Sequence, residues 1–131
     1  MIKQFWVRLV HDNGVNFSPT WCCHNISFDL PFLYKRCVVN NVKPSIILPI
    51  NPKPWSRDVF CTLYQSMGDI KTGGSLDRIS RTLGIGHKLE GMSGADVNQY
   101  FIDGRIDEIV EYNRQDVYLC RKIYKRLNFI D

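Results

Sequence analysis

Apolar residues recur along this chain at helical and strand spacings in turn. Ile2, Phe5, Trp6, Leu9 and Val10 fall on one side of a helix over residues 2–11, and Asn13-Gly14 stops it. Thr20-Trp21-Cys22-Cys23 is short, apolar and rich in strand formers, which predicts a buried strand. After Asp29, Leu30-Pro31 signals a helix start, because proline suits a first helical turn. Phe28, Phe32, Leu33 and Cys37 follow at helical spacing, and Asn40-Asn41 ends that helix. Pro44, Pro49, Pro52 and Pro54 make residues 43–55 a loop-rich connection, with a short strand at Ile46-Ile47-Leu48. The apolar run from Asp58 to Met67 fits strand or helix equally.

Further on, Ser75 is placed to cap a helix whose buried stripe is Leu76, Ile79 and Leu83, with Gly84 as its stop. Residues 84–94 contain four glycines and read as a loop. Ser93 is positioned to cap a short helix through Val97, Tyr100 and Phe101. The longest pattern is the last, where Ile106, Ile109, Val110, Asn113, Val117, Cys120, Tyr124 and Leu127 recur in steps of three or four. No repeat, low-complexity tract or internal boundary interrupts residues 1–131, which read as one domain.

Composition narrows the class. With 44% hydrophobic and 23% charged residues, 131 residues suffice for a soluble domain with a core. No apolar run approaches the ~20 residues of a membrane span. The five cysteines, Cys22, Cys23, Cys37, Cys61 and Cys120, show no zinc-site spacing and read as reduced thiols of a cytoplasmic protein. A net charge of +4 suits a polyanionic partner as well as it suits an ordinary solvated surface.

Two clusters carry candidate chemistry. Asn25-Ile26-Ser27-Phe28-Asp29 lies at a strand-to-helix junction, where a carboxylate can serve a site or simply cap a helix. Tyr112 and Asp116, four apart on the last helix, project from one side beside the apolar stripe, as a functional pair or an ordinary surface pair. His24 adjoins the first cluster and suits a structural role or a phosphate contact. His87-Lys88, in the glycine-rich loop, is placed to touch a nucleic-acid backbone. His11 reads as a helix C-terminal residue. Arg121, Lys122, Lys125 and Arg126 form a basic outer face on the last helix.

Taken together, Asn25-x-x-Phe28-Asp29 and Tyr112-x-x-x-Asp116 resemble the second and third motifs of the tyrosine variant of the DEDD 3′–5′ exonucleases. The flanking text, His24–Leu33, Ser75-Leu76 with Leu83-Gly84-Ile85, and Ile109–Val117, is similar to predicted exonucleases related to the proofreading domain of family B DNA polymerases. The resemblance runs from about residue 2 to residue 127. It implies an α/β, ribonuclease H-like fold and hydrolysis from a 3′ end of single-stranded nucleic acid, DNA before RNA. In that family carboxylates hold two Mg²⁺ or Mn²⁺ ions. By position, Asp29 and Asp116 would bind metal, Tyr112 would orient the attacking water, and Asn25, Phe28 and His24 would contact the terminal nucleotide. For Phe28, helical spacing alone points to the core instead.

The pattern also departs from the family. Its first motif is Asp-x-Glu, and none precedes Asp29; the one acidic residue there is Asp12. The ligand set is therefore incomplete, and the fold is expected to be incomplete at its N-terminus, a helix-rich remainder without the opening strands. The helices at 2–11 and 105–127 would then expose apolar surface. A complementary polypeptide, a second copy or an upstream region is expected to cover it. Two readings follow: part of a split or truncated exonuclease, or an inactive protein that keeps the fold to bind nucleic acid or a protein. A different nuclease or a polymerase accessory factor sharing only the fold is a third.

Overall fold

The computed structural model describes residues 1–14, 18–69, 71, 73–88 and 90–130. In chain order the elements are α1 (Ile2–Asn13), β1 (Trp21–Cys23), α2 (Ile26–Val39), β2 (Val59–Cys61), α3 (Thr62–Met67), α4 (Leu76–Thr82), α5 (Val97–Ile102) and α6 (Ile106–Leu127). The mixture, mostly helical with one small parallel sheet, is compatible with an α/β class. Contacts gather into two units, Met1–Tyr64 and Gln65–Asp131, with the boundary inside α3.

The first unit is built on a strand–helix–strand crossover. β1 and β2 pair in parallel with Trp21 opposite Val59 and Cys23 opposite Cys61. Parallel neighbours need a long connection, and α2 with the proline-rich stretch supplies it. α2 packs on both strands. The core of this unit is Trp6, Ile26, Leu30, Cys37, Leu48, Val59, Cys61 and Leu63. Trp6 is 1% exposed, and its indole N–H donates to Cys37 Sγ at 3.3 Å. That contact ties α1 to α2, and the Trp21 ring meets Trp6 edge-on at 6.4 Å.

Several expectations need correction here. β1 is only partly buried, and Cys22 is exposed, because the two-stranded sheet leaves one of its faces open. Ile46-Ile47-Leu48 forms no strand; Ile47 is 92% exposed while Leu48 is buried, as in a bend that drops one side chain into the core. α2 begins four residues before Leu30, and Pro31 lies inside it. The carbonyl left without its helical donor is that of Ser27, on the exposed side, where water can serve it. The buried face of α2 is Ile26, Leu30 and Cys37, whereas Phe28 and Phe32 are exposed. The run 58–67 resolves into β2 followed by α3. The helix ends at Gly14 and at Asn40-Asn41 are as the sequence implies, with Asn41 at φ 51°.

In the second unit α6 packs on α4 and α5. Ser75 caps α4 as expected, its Oγ accepting from the Arg78 amide at 3.1 Å, and Gly84 at φ 65° follows the last turn. Leu76 and Ile79 are buried, and Leu83 is half-buried. α5 starts later than the Ser93 cap implies: Ser93 and Asp96 close a turn, and the helix begins at Val97. The loop 84–94 forms no helix or strand at its described positions; residue 89 lies outside them. The buried side of α6 is Leu119, Cys120 and Ile123. Val117, placed on the stripe by its apolarity, is 61% exposed, and Asn113 is exposed as well. An apolar side chain is weak evidence of burial when a longer one next to it can fill the same interface.

Phe5 and Val7 on α1, and Val117 and Tyr118 on α6, are exposed. Among the described residues no helix is long and apolar enough to cross a membrane. The five cysteines form no disulfide; Cys37, Cys61 and Cys120 are buried.

The Trp6 environment yields a stability prediction. Trp6→Ala removes a fully buried ring and leaves a cavity, so it lowers unfolding free energy by about 3–5 kcal/mol. Trp6→Phe costs less. Urea denaturation followed by circular dichroism checks both.

Candidate active site

In the first unit the candidate residues gather where β1 gives way to α2. The backbone remains pinned to the sheet after the strand ends: the Leu63 amide donates to the His24 carbonyl at 3.1 Å, and the Cys61 thiol reaches the same oxygen at 3.4 Å. His24 turns its ring toward the buried Thr62, with Nδ1 at 2.9 Å from Oγ1. Asn25 is the N-cap residue of α2, in extended conformation. Its side chain makes no capping bond. Instead Asp29, one turn into the helix, reaches back and accepts the Asn25 backbone N–H through Oδ2 at 3.1 Å. Asp29 thus does cap a helix, the one that contains it.

That position costs the carboxylate hydration. Burial pushes the Asp29 carboxyl up; the Asn25 amide bond and the nearby His24 pull it back, and the net stays above the ordinary aspartate value. On the exposed side of the same turn, Phe28 and Phe32 stack on each other at 5.6 Å with 16° between planes. They form an exposed aromatic surface.

The second unit holds the other candidates on one face of α6. Tyr112, Asp116, Leu119 and Ile123 follow at steps of three or four, so the polar pair continues the line of the buried side chains. Lys88 completes the group. Its ammonium donates to Tyr112 Oη at 2.7 Å and to Asp116 Oδ2 at 2.8 Å, and lies 4.4 Å from the Tyr112 ring centre. Burial alone would lower the Lys88 pKa, but the bonds to Asp116 and Tyr112 outweigh it and hold the ammonium above its ordinary value. Lys88 therefore faces Asp116 rather than standing in the loop as a free phosphate contact.

The loop reaches α6 by way of Gly86. Its φ of 139° is unfavourable for a side chain, and a Cβ there would stand 3.2 Å from Leu119 Cδ2. From the other side, the Asp77 carboxylate accepts the Lys88 amide at 2.7 Å, which holds the Asp77 carboxyl below its ordinary value, with Arg81 adding to the effect.

Among the described residues the buried side-chain oxygens without a hydrogen-bond partner are Asn25 Oδ1, Ser66 Oγ and Asp116 Oδ1. Unpaired buried polar atoms are rare, and two of these three belong to the candidate clusters. Asp116 Oδ1 is the kind of hard oxygen donor that Mg²⁺ or Mn²⁺ selects. No group of three His, Cys, Asp or Glu forms a metal cage among the described residues. A cation held here would take one carboxylate from this unit and complete its shell with waters and a substrate phosphate, as Mg²⁺ commonly does.

The structure thus brings Tyr112 and Asp116 together in the second unit, and His24, Asn25, Phe28 and Asp29 together in the first. Sequence reasoning missed the pairing of Lys88 with Asp116 and the support from Asp77 and Gly86. The clue was local: a lysine in a glycine-rich loop ahead of a helix that carries a carboxylate. Of the remaining histidines, His11 sits in the last turn of α1 and pairs with Asp12, and His87 bonds the Lys88 carbonyl.

Two outcomes follow from this geometry. Gly86→Ala forces a side chain into a positive-φ position against Leu119, destabilising the fold by about 1–3 kcal/mol in chemical denaturation. Asp29 has a folded-state pKa above its unfolded one, so its contribution to stability is present below the unfolded value and is lost as pH rises through the folded value. Asp29→Asn, neutral throughout, is therefore more thermostable than the parent at neutral pH without metal. The gap narrows as pH falls toward about 3.9. Thermal melts across that range check the sign.

A family model described as a predicted 3′–5′ exonuclease related to the exonuclease domain of PolB matches residues 1–131. No curated protein and no solved structure matches the chain. With the match spanning every residue, and with both candidate clusters inside it, the chain belongs to the family of predicted 3′–5′ exonucleases related to the exonuclease domain of PolB.

Proposed function

We propose that residues 1–131 act as one partial, ribonuclease H-like exonuclease domain that removes nucleotides from the 3′ end of single-stranded nucleic acid, DNA before RNA. The observation that carries this reading is the Lys88–Tyr112–Asp116 group: an oriented hydroxyl beside a carboxylate with one oxygen paired and the other buried and unpartnered.

The hydrogen-bond directions suggest the division of labour. Lys88 donates to Tyr112 Oη, which leaves the tyrosine its own proton to donate outward, to an attacking water or a phosphate oxygen. Lys88 also pairs with one side of Asp116, which holds the carboxylate in place. In the second unit Asp116 Oδ1 would be the metal ligand, and in the first unit Asp29 would bind metal, directly or through water. When bound, Mg²⁺ or Mn²⁺ lowers the pKa of the attacking water and offsets charge on the leaving 3′ oxygen. Phe28, with Phe32 stacked on it, receives the terminal base, a contact worth ~1–3 kcal/mol per stacked base. Asn25 and His24 contact its sugar and phosphate.

The first Asp-x-Glu motif of such a site is supplied, on this reading, by a separate polypeptide, a second copy or an upstream region, which also covers the exposed apolar residues of α1 and α6. A second reading draws on the same pair: the Lys88 ammonium already supplies Asp116 with a cation, at Oδ2, as suits an inactive exonuclease-fold protein that binds nucleic acid or a protein partner.

The test is digestion of 3′-labelled single-stranded DNA with Mn²⁺, with and without the polypeptide encoded just upstream. The exonuclease reading expects digestion, lowered about 100-fold or more by Asp116→Ala and by about 10- to 100-fold in Tyr112→Phe. Retained binding without digestion in either mixture decides for the inactive protein.

A further inference from the structure

One peptide group in the glycine-rich loop is held at both ends by side chains from two different helices. The amide between His87 and Lys88 offers one carbonyl and one N–H. Gln115 Nε2, on α6, donates to the His87 carbonyl at 3.1 Å. Asp77 Oδ1, in the first turn of α4, accepts the Lys88 N–H at 2.7 Å. The second Asp77 oxygen is occupied by Arg81 Nε at 2.7 Å, which orients the carboxylate.

With both polar groups engaged, the plane of this peptide is set, and so is the direction in which the Lys88 side chain leaves the backbone. An isolated loop peptide would rotate freely, because no strand or helix pairs it. A lysine side chain has four rotatable bonds and loses up to ~2 kcal/mol of rotamer freedom on being ordered. Anchoring its backbone removes part of the search. The spacing is also economical: Gln115 and Asp116 are neighbours on α6, so the residue that grips the loop and the one that receives the ammonium move as one body.

We propose that Asp77 and Gln115 are positioning residues that clamp the His87–Lys88 peptide and thereby aim the Lys88 ammonium at Tyr112 and Asp116. Their importance to turnover rests on the exonuclease reading above; the clamp itself does not. Arg81 belongs to the support of Asp77 and is dispensable to the grip.

The experiment reads the Lys88 ammonium directly, by ¹H–¹⁵N correlation of lysine side chains in metal-free buffer, with the resonance assigned by its loss in Lys88→Arg. A hydrogen-bonded ammonium exchanges slowly enough to be seen. Asp77→Ala and Gln115→Ala should each lose or broaden the resonance by at least about tenfold in intensity while circular dichroism shows an unchanged fold. Asp77→Asn, which keeps an acceptor for the amide, and Arg81→Ala should retain it. A resonance that persists in both alanine variants overturns the proposal, as does its full loss in Arg81→Ala. If Asp77→Ala fails to fold, Asp77→Asn and Gln115→Ala decide the question.

Digestion of single-stranded DNA with Mn²⁺ is read in parallel. A kcat lowered about 10- to 100-fold in the clamp variants at unchanged KM supports the clamp and the exonuclease reading together. Absent digestion by the unaltered chain, both with and without the polypeptide encoded just upstream, and with the resonance lost as described, upholds the clamp and counts against the exonuclease reading alone.

Discussion

A carboxylate that has lost most of its water must find a cation or give up its charge. Asp116, with 27% of its side chain exposed, meets this constraint through the Lys88 ammonium at 2.8 Å. Much of the second unit follows from that pair. The glycine-rich loop must lie against α6, so Gly86 takes a backbone angle that a side chain would resist. Tyr112, one turn before Asp116, is drawn into the same bond network. The helix face on which the pair stands becomes the buried face, continued by Leu119 and Ile123.

The first unit solves a related problem differently. For Asp29 a backbone N–H and a neighbouring histidine offset only part of the burial cost, and the carboxyl stays harder to ionise than an ordinary aspartate. Such a group is a favourable receptor for a cation, since binding one removes the penalty. The crossover between β1 and β2 places it at the C-terminal end of a parallel strand, where α/β sheets commonly carry their ligands. Stability here is spent on a poised carboxylate, a common feature of functional sites.

Much of the local structure could be read in advance. The caps at Ser75 and Gly84, the stops at Gly14 and Asn41, and the proline-rich connection follow from chemistry within a few residues of each point. The burial expectations that fail on the helices share one cause. Phe28, Phe32 and Val117 are apolar and helically spaced, yet exposed, because burial is assigned by what packs on a helix and not by the helix itself. Pro31 suits a first-turn position, yet the reach of Asp29 back to Asn25 starts α2 a turn sooner.

The amino-acid order by itself determined the family, the residue types of the two clusters, and the four-residue step that puts Tyr112 and Asp116 on one helix face. Those are local facts, set by covalent spacing and helical period. Only the tertiary structure decided that Lys88 pairs with Asp116 across 28 positions of chain, that Asp77 and Gln115 hold the intervening peptide, and that Phe28 and Phe32 stack outward. These depend on which elements pack together. Long-range pairing of this kind is fixed by the joint demand to bury apolar surface and to pair buried polar groups, and no window of sequence contains it.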